Sequence, residues 1–310
     1  MALLAGFLAV LGLFRCEAAE STNWNKALSP HFEIAHESSW MPPGFTMGLE
    51  KIHNRLRLDL AMFSPWMAKE RLKLYLHADQ KSYVAGEFEP PAWSNGIAMY
   101  EKRTVVVYDQ PSRPKLLEVI SHETTHLLFE SYWGELGKEP PSWLNEGLAM
   151  LEEADAQNPE RSDWYRAMVE LPNQRPMPLE DLVRINPTQD LGNDKDAVGV
   201  WYTQSYSVVH FLFRKHSKLQ FKNFCSKLRD GKSVQEALWL VYRFQSIAKF
   251  EKAWKTWLKD PSHQKRLSAL PVASIEPPEP EKKQIGKING FKPLGAPGTP
   301  RLRKLEVDGE

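Results

Sequence analysis

Two short segments set the tightest requirement on how this chain folds. They are His122-Glu123-Thr124-Thr125-His126 and Trp143-Leu144-Asn145-Glu146-Gly147, which places Glu146 20 positions beyond His126. On an α-helix side chains four apart lie on one face, one turn apart, so His122 and His126 can aim both imidazoles at one ion if that stretch is helical. A second element must then carry Glu146 back to the same point. Two imidazoles and a carboxylate leave one position of a tetrahedral zinc open for water, the arrangement of a catalytic site rather than a closed structural one. Glu123 sits one step around from His122, where it can reach that water rather than the metal. The pattern points to metal-assisted hydrolysis, with a peptide bond as the expected target.

The flanking residues support both elements. Leu116, Leu117, Ile120, Leu127 and Leu128 recur at helical spacing, which predicts a helix over about 115–132 with one buried stripe. Pro140-Pro141-Ser142 reads as the start of the next helix, with Ser142 as N-cap and Leu144, Leu148, Met150 and Leu151 as its apolar positions. H-E-T-T-H followed by W-L-N-E-G-L-A resembles the gluzincin zinc metallopeptidases, in particular the peptidase MA-like family related to the zinc aminopeptidases and thermolysin-like enzymes. The close resemblance covers Ser121 to Glu153, and a looser one covers Trp201 to Leu212. It implies that His122, His126 and Glu146 hold one zinc per chain, that Glu123 is general base and acid, and that the substrate is a peptide or protein.

Further candidates follow from the same reading. Tyr202, Tyr206 and His210 are spaced four apart, so a helix would line them along one face. Related aminopeptidases carry a transition-state tyrosine about sixty residues after the third ligand. Tyr206 stands 60 beyond Glu146, with Tyr202 and His210 as alternatives. A stripe of this kind also serves as ordinary core packing. Ligand histidines usually donate their other N–H to a carboxylate or carbonyl. Glu130, Glu152 and Glu153 are all near in sequence, and the Asp that some gluzincins place four after the glutamate ligand is Met150 here. Asn95–Tyr100 and Thr104–Tyr108 read as two short strands around a polar turn. In gluzincins an edge strand above the cleft holds extended substrate by main-chain hydrogen bonds, which makes Gly96, Ile97, Ala98 and Met99 candidate substrate contacts. Tyr100 occupies the place of the aminopeptidases' amine-binding glutamate, and Glu101 comes one later. Endopeptidase and aminopeptidase readings both stay open.

The rest of the chain sets the frame. Ala2–Phe14 is an apolar run too short to span a bilayer comfortably, and small residues at Ala18 and Ala19 suit cleavage. Residues 1–19 are therefore expected to be a signal peptide and the product secreted or periplasmic, with an uncleaved anchor as the alternative. Cleavage would remove Cys16 and leave Cys225 without a disulfide partner. With 40 basic and 39 acidic residues the net charge of +1 argues against bulk nucleic-acid binding. The expected fold is α+β. A small twisted mixed sheet (20–110), with an edge strand over the cleft, leads into the zinc-binding helix pair of a mainly helical lobe (111–260). Residues 261–310 read as a proline-rich, disordered tail, its composition shifting most clearly from Pro271. The alternative to an exported zinc peptidase is a non-catalytic, zinc-containing peptide-binding protein of the same fold.

Overall fold

A computed structural model describes residues 24–39, 41, 44–153, 159–192 and 194–268. The expected signal peptide and residues 269–310 of the expected tail lie outside the described residues. Strands β1 (Asn25–Leu28), β2 (Phe32–His36), β3 (Leu72–His77), β4 (Gly96–Met99) and β5 (Thr104–Tyr108) form one sheet in the order β1-β2-β3-β5-β4. The middle three run parallel, and the edge strands β1 and β4 are antiparallel to their neighbours. The sheet is thus mixed, as expected, although β1 was not anticipated. Its sequence Asn-Lys-Ala-Leu is mostly exposed and carries no alternation to read. β5 is the opposite case: Thr104 to Val107 are all buried, so its β-branched run packs on both faces. The polar turn before it is a short 3₁₀ turn over Tyr100–Lys102, closed by Arg103 at φ +51°.

Helix α1 (Phe45–Leu60) makes the crossover between β2 and β3, and α2 (Gln80–Ala85), capped by Asp79, precedes β4. The helical lobe then runs through α3 (Arg113–Gly134), α4 (Ser142–Glu153), α5 (Asp163–Glu170), the single turns α6 (Leu179–Leu182) and α7 (Pro187–Asp190), and α8 (Lys195–His210). It ends with α9 (Lys218–Arg229), α10 (Val234–Tyr242), α11 (Ile247–Leu258) and α12 (Pro261–Ser268). The last helix lies past the expected boundary at 260. Its His263 is buried and pairs its Nδ1 with the Tyr165 hydroxyl at 2.9 Å, so the packed lobe extends through 268.

α3 also departs from the expected single buried stripe. Every residue from Val119 to Phe129 is buried. The helix is enclosed by α1 and the strands β4 and β5 on one side and by α4 on the other. Such a position tolerates polar residues only if they are partnered or hold an ion. Ser121 illustrates the first case, donating to the Glu152 carbonyl at 2.5 Å.

α4 and α8 approach each other at Gly147. A Cβ there would stand 2.6 Å from the Ser205 carbonyl oxygen and 2.5 Å from Val209 Cγ2. The backbone leaves no room for even a methyl group next to Glu146. Gly147→Ala should therefore cost about 1–3 kcal/mol through overpacking, read as a lower midpoint in chemical denaturation. An unchanged midpoint would show that the two helices can separate freely. Below this crossing, α8 continues into a π-helical turn over Phe211–Lys215. Arg214 from that turn bridges Asp59 at 2.7 Å and Glu152 at 2.9 Å, tying the end of α1 to the end of α4.

Candidate metal centre

Ser112 caps α3, accepting from the Lys115 N–H, and Pro114 occupies its first turn, where a missing N–H costs nothing. Two turns later the helix presents His122 and His126 on one face, as their spacing predicts. α4 packs against α3 and delivers Glu146 to the same point. One ligand atom from each of the three residues lies within 4.8 Å of the others, and all three residues are buried. The two imidazole Nε2 atoms are 3.0 Å apart; His122 Nε2 is 3.8 Å from Glu146 Oε2 and His126 Nε2 is 3.8 Å from Glu146 Oε1. Two imidazoles and a carboxylate are the donor types zinc takes, so the group fits the ion in chemistry.

The electrostatics agree. Burial raises the Glu123 carboxyl to about 7 and the Glu146 carboxyl to about 8, with His122 opposing both shifts. Burial also pushes His126 down to about 3, helped by repulsion from His122. Glu123, Glu146 and His126 are therefore held where burial makes their charged forms costly. Glu146 Oε2 is buried without a hydrogen-bond partner. A divalent cation would relieve that cost directly, ionising Glu146, keeping His126 neutral and displacing the proton from His122.

The supporting residues, open among three carboxylates on sequence, are distinguished by the packing. Glu153 takes His122: its Oε1 lies 2.7 Å from Nδ1, while its Oε2 accepts the Trp164 indole N–H at 2.9 Å. Burial pushes His122 down, but the Glu153 hydrogen bond and the surrounding carboxylates bring it to about 9. Glu130 stands 4.0 Å from His126 Nδ1 and accepts from Asn145 Nδ2 at 2.8 Å. Glu152 turns away to Arg214. Helical phase carried this signal: Glu153 is seven past Glu146 and Glu130 four past His126, each on its ligand's own face, whereas Glu152 is out of phase. Carboxylates that orient ligand histidines commonly contribute 10–100-fold in metal affinity. Glu153→Ala should weaken zinc binding by roughly that factor in competition with a chromogenic chelator. Affinity equal to the parent would remove Glu153 from this role.

Glu123 lies against the edge of the sheet while still in the field of His122 and Glu146. Gly96, the first residue of β4, lies so close that a Cβ there would stand 2.7 Å from Glu123 Cγ and 3.2 Å from Cδ. This brings together two residues 27 apart in sequence. β4 is the sheet edge on that side, with Ile97, Ala98 and Met99 half-buried beyond Gly96. On α8 the three four-spaced residues separate. Burial, with a smaller contribution from the field of Glu146, raises the Tyr202 phenol pKa, and its ring is 6.4 Å from Trp164. Tyr206 is fully sealed and feels Tyr165, Arg214, Glu153 and Glu152. Both hydroxyls are buried without a hydrogen-bond partner. His210 sits one turn further along α8 among the rings of Tyr165, Tyr206 and Trp257.

Among the described residues no helix is long and apolar enough to cross a membrane. No curated protein matches the chain. Residues 59–260, however, match the family model for the Peptidase MA superfamily. The matched stretch begins at the end of α1 and takes in the sheet from β3 onward, both helices of the histidine–glutamate group and the lobe through α11. Covering about two thirds of the chain, it makes this protein a member of the Peptidase MA superfamily, a metallopeptidase kind of enzyme.

Proposed function

We propose that this chain is an exported zinc-dependent peptidase that hydrolyses peptide bonds with Glu123 as general base. The observation that carries the reading is the convergence of His122, His126 and Glu146 on one buried point, with Glu123 on the next step of the same helix. Bound zinc would supply Lewis acidity, polarising the scissile carbonyl and bringing the pKa of a coordinated water to about 7. Glu123 takes the proton of the attacking water and passes it to the leaving nitrogen, a transfer suited to a carboxyl whose pKa lies near the working pH. His122 is kept in the tautomer that offers Nε2 by donating Nδ1–H to Glu153.

The free edge of β4 begins beside Glu123, which favours extended substrate pairing along Gly96 to Met99 by β-augmentation. For the group that shares the developing negative charge, the surroundings favour Tyr202 over Tyr206. Tyr202 lies in the field of the ligand carboxylate Glu146, whereas Tyr206 is influenced instead by Tyr165, Arg214, Glu153 and Glu152.

The test is metal analysis followed by digestion of a mixed peptide library. One zinc per chain, cleavage lost on chelation and cleavage restored by added zinc are expected. Peptide binding with no cleavage at any zinc level would instead establish the non-catalytic reading.

A further inference from the structure

We propose that the outward side of α9 and α10 docks this protein on an anionic lipid bilayer. The near-neutral total conceals a strong segregation of charge. Residues 211–268 hold 14 Lys and Arg against 4 Asp and Glu, while the remainder of the chain holds 26 against 35. Several of these cations are used internally: Arg214 on Asp59 and Glu152, Lys218 on Asp59, and Lys255 on Glu251. Lys222 and Lys227 on α9 and Arg243 after α10 make no ion pair within 4 Å among the described residues. The acidic groups on this hairpin are Glu236, paired with Lys232, and Asp230.

Exposed apolar side chains gather on the same hairpin. α9 turns Phe221, Phe224 and Cys225 inward and leaves Leu219 66% exposed. α10 turns Ala237, Leu238 and Tyr242 inward and leaves Trp239 46% and Leu240 41% exposed. The Arg243 guanidinium lies 5.8 Å from the Trp239 ring centroid. Exposed Leu58 adjoins the start of α9, where Lys218 Nζ contacts its carbonyl at 3.3 Å. Exposed Leu136 adjoins the other end, next to Lys138, which donates to the Arg229 carbonyl.

Exposed tryptophan and leucine, and half-buried or exposed cations without an ion pair, are carried by one helical hairpin, with Lys222 Nζ 5.9 Å over the Tyr132 ring, and together they match the two-part chemistry of an anionic membrane interface. The apolar groups enter the headgroup boundary, and lysine and arginine meet anionic lipid. A second copy of the same face would bring like charges together. A soluble polyanion would satisfy the cations and leave Leu219 and Leu240 in water. The contact would be peripheral, since no described helix can span the bilayer.

Sedimentation of the full chain with vesicles tests this. Vesicles of phosphatidylcholine containing phosphatidylglycerol should bind the protein at low salt at least about tenfold more strongly than phosphatidylcholine alone. Trp239→Ser with Leu240→Ser, and separately Lys222→Glu with Lys227→Glu, should each weaken that binding about tenfold. Melting temperature and cleavage of soluble peptides should stay at parental values in both. Equal sedimentation with both vesicles, as an inserting apolar N-terminal segment would give, overturns the proposal, and so does no sedimentation. Parental vesicle binding by the Trp239/Leu240 variant, with heparin competing, overturns it in favour of a polyanion-binding surface.

Discussion

Glu123→Gln should lower peptide cleavage by about 10²–10⁴-fold, the range a positioned general base contributes, while zinc content stays at one per chain. The substitution keeps the size and shape of the side chain, so the close contact with Gly96 is undisturbed. It removes a carboxyl that burial holds near 7 and therefore sheds a desolvation cost, so the fold should not weaken. His122, His126 and Glu146 are untouched, and the metal has no reason to leave. Steady-state rates beside metal analysis of the same preparation check both halves. Undiminished cleavage would eliminate Glu123 as the base. Cleavage and zinc lost together would show that it serves the metal instead.

Glu146→Ala should have the opposite signature: zinc is lost first and activity with it. Two imidazoles alone leave the site without its only anionic ligand. The effect on the metal-free fold is expected to be small or favourable, because Glu146 is a carboxyl raised by burial to about 8 with one oxygen unpartnered. Ligand linkage supplies the readout. Zinc at a hundred times its dissociation constant adds about 2.7 kcal/mol to a protein that binds it only when folded. The parent's melting temperature should rise with zinc and the variant's should not. A full zinc-dependent rise in the variant would mean that a different set of residues holds the ion.

Local periodicity made much of this site legible in the sequence. His122 and His126 meet because an α-helix turns 100° per residue, and any chain with that spacing in a helix will bring them together. The second helix start, at Ser142, was marked by its prolines, although Ser142 is the first helical residue rather than the cap, and the strand pair ending at Tyr108 by β-branched residues around a polar turn. Glu153 was also within reach, since seven residues past Glu146 is two turns along the same face. By contrast, α3 carries an apolar pattern that suggested one buried stripe. It is buried all round because the sheet lies on one side and α4 on the other, and neither is encoded in its own residues. His263 shows the same limit at the other end of the chain, where α12 is ordered by Tyr165, 98 positions earlier.

By itself, the sequence determined the helix that carries the histidines, the return of a carboxylate at Glu146, and the class of chemistry those residues can perform. These depend on spacing along one or two elements, which backbone geometry dictates wherever the chain folds. Tertiary structure alone decided the approach of Gly96 to Glu123 and the different surroundings of Tyr202 and Tyr206. Each depends on how close two separately folded elements pack. That distance is set by every side chain between them, down to the missing methyl of Gly147, rather than by any local pattern.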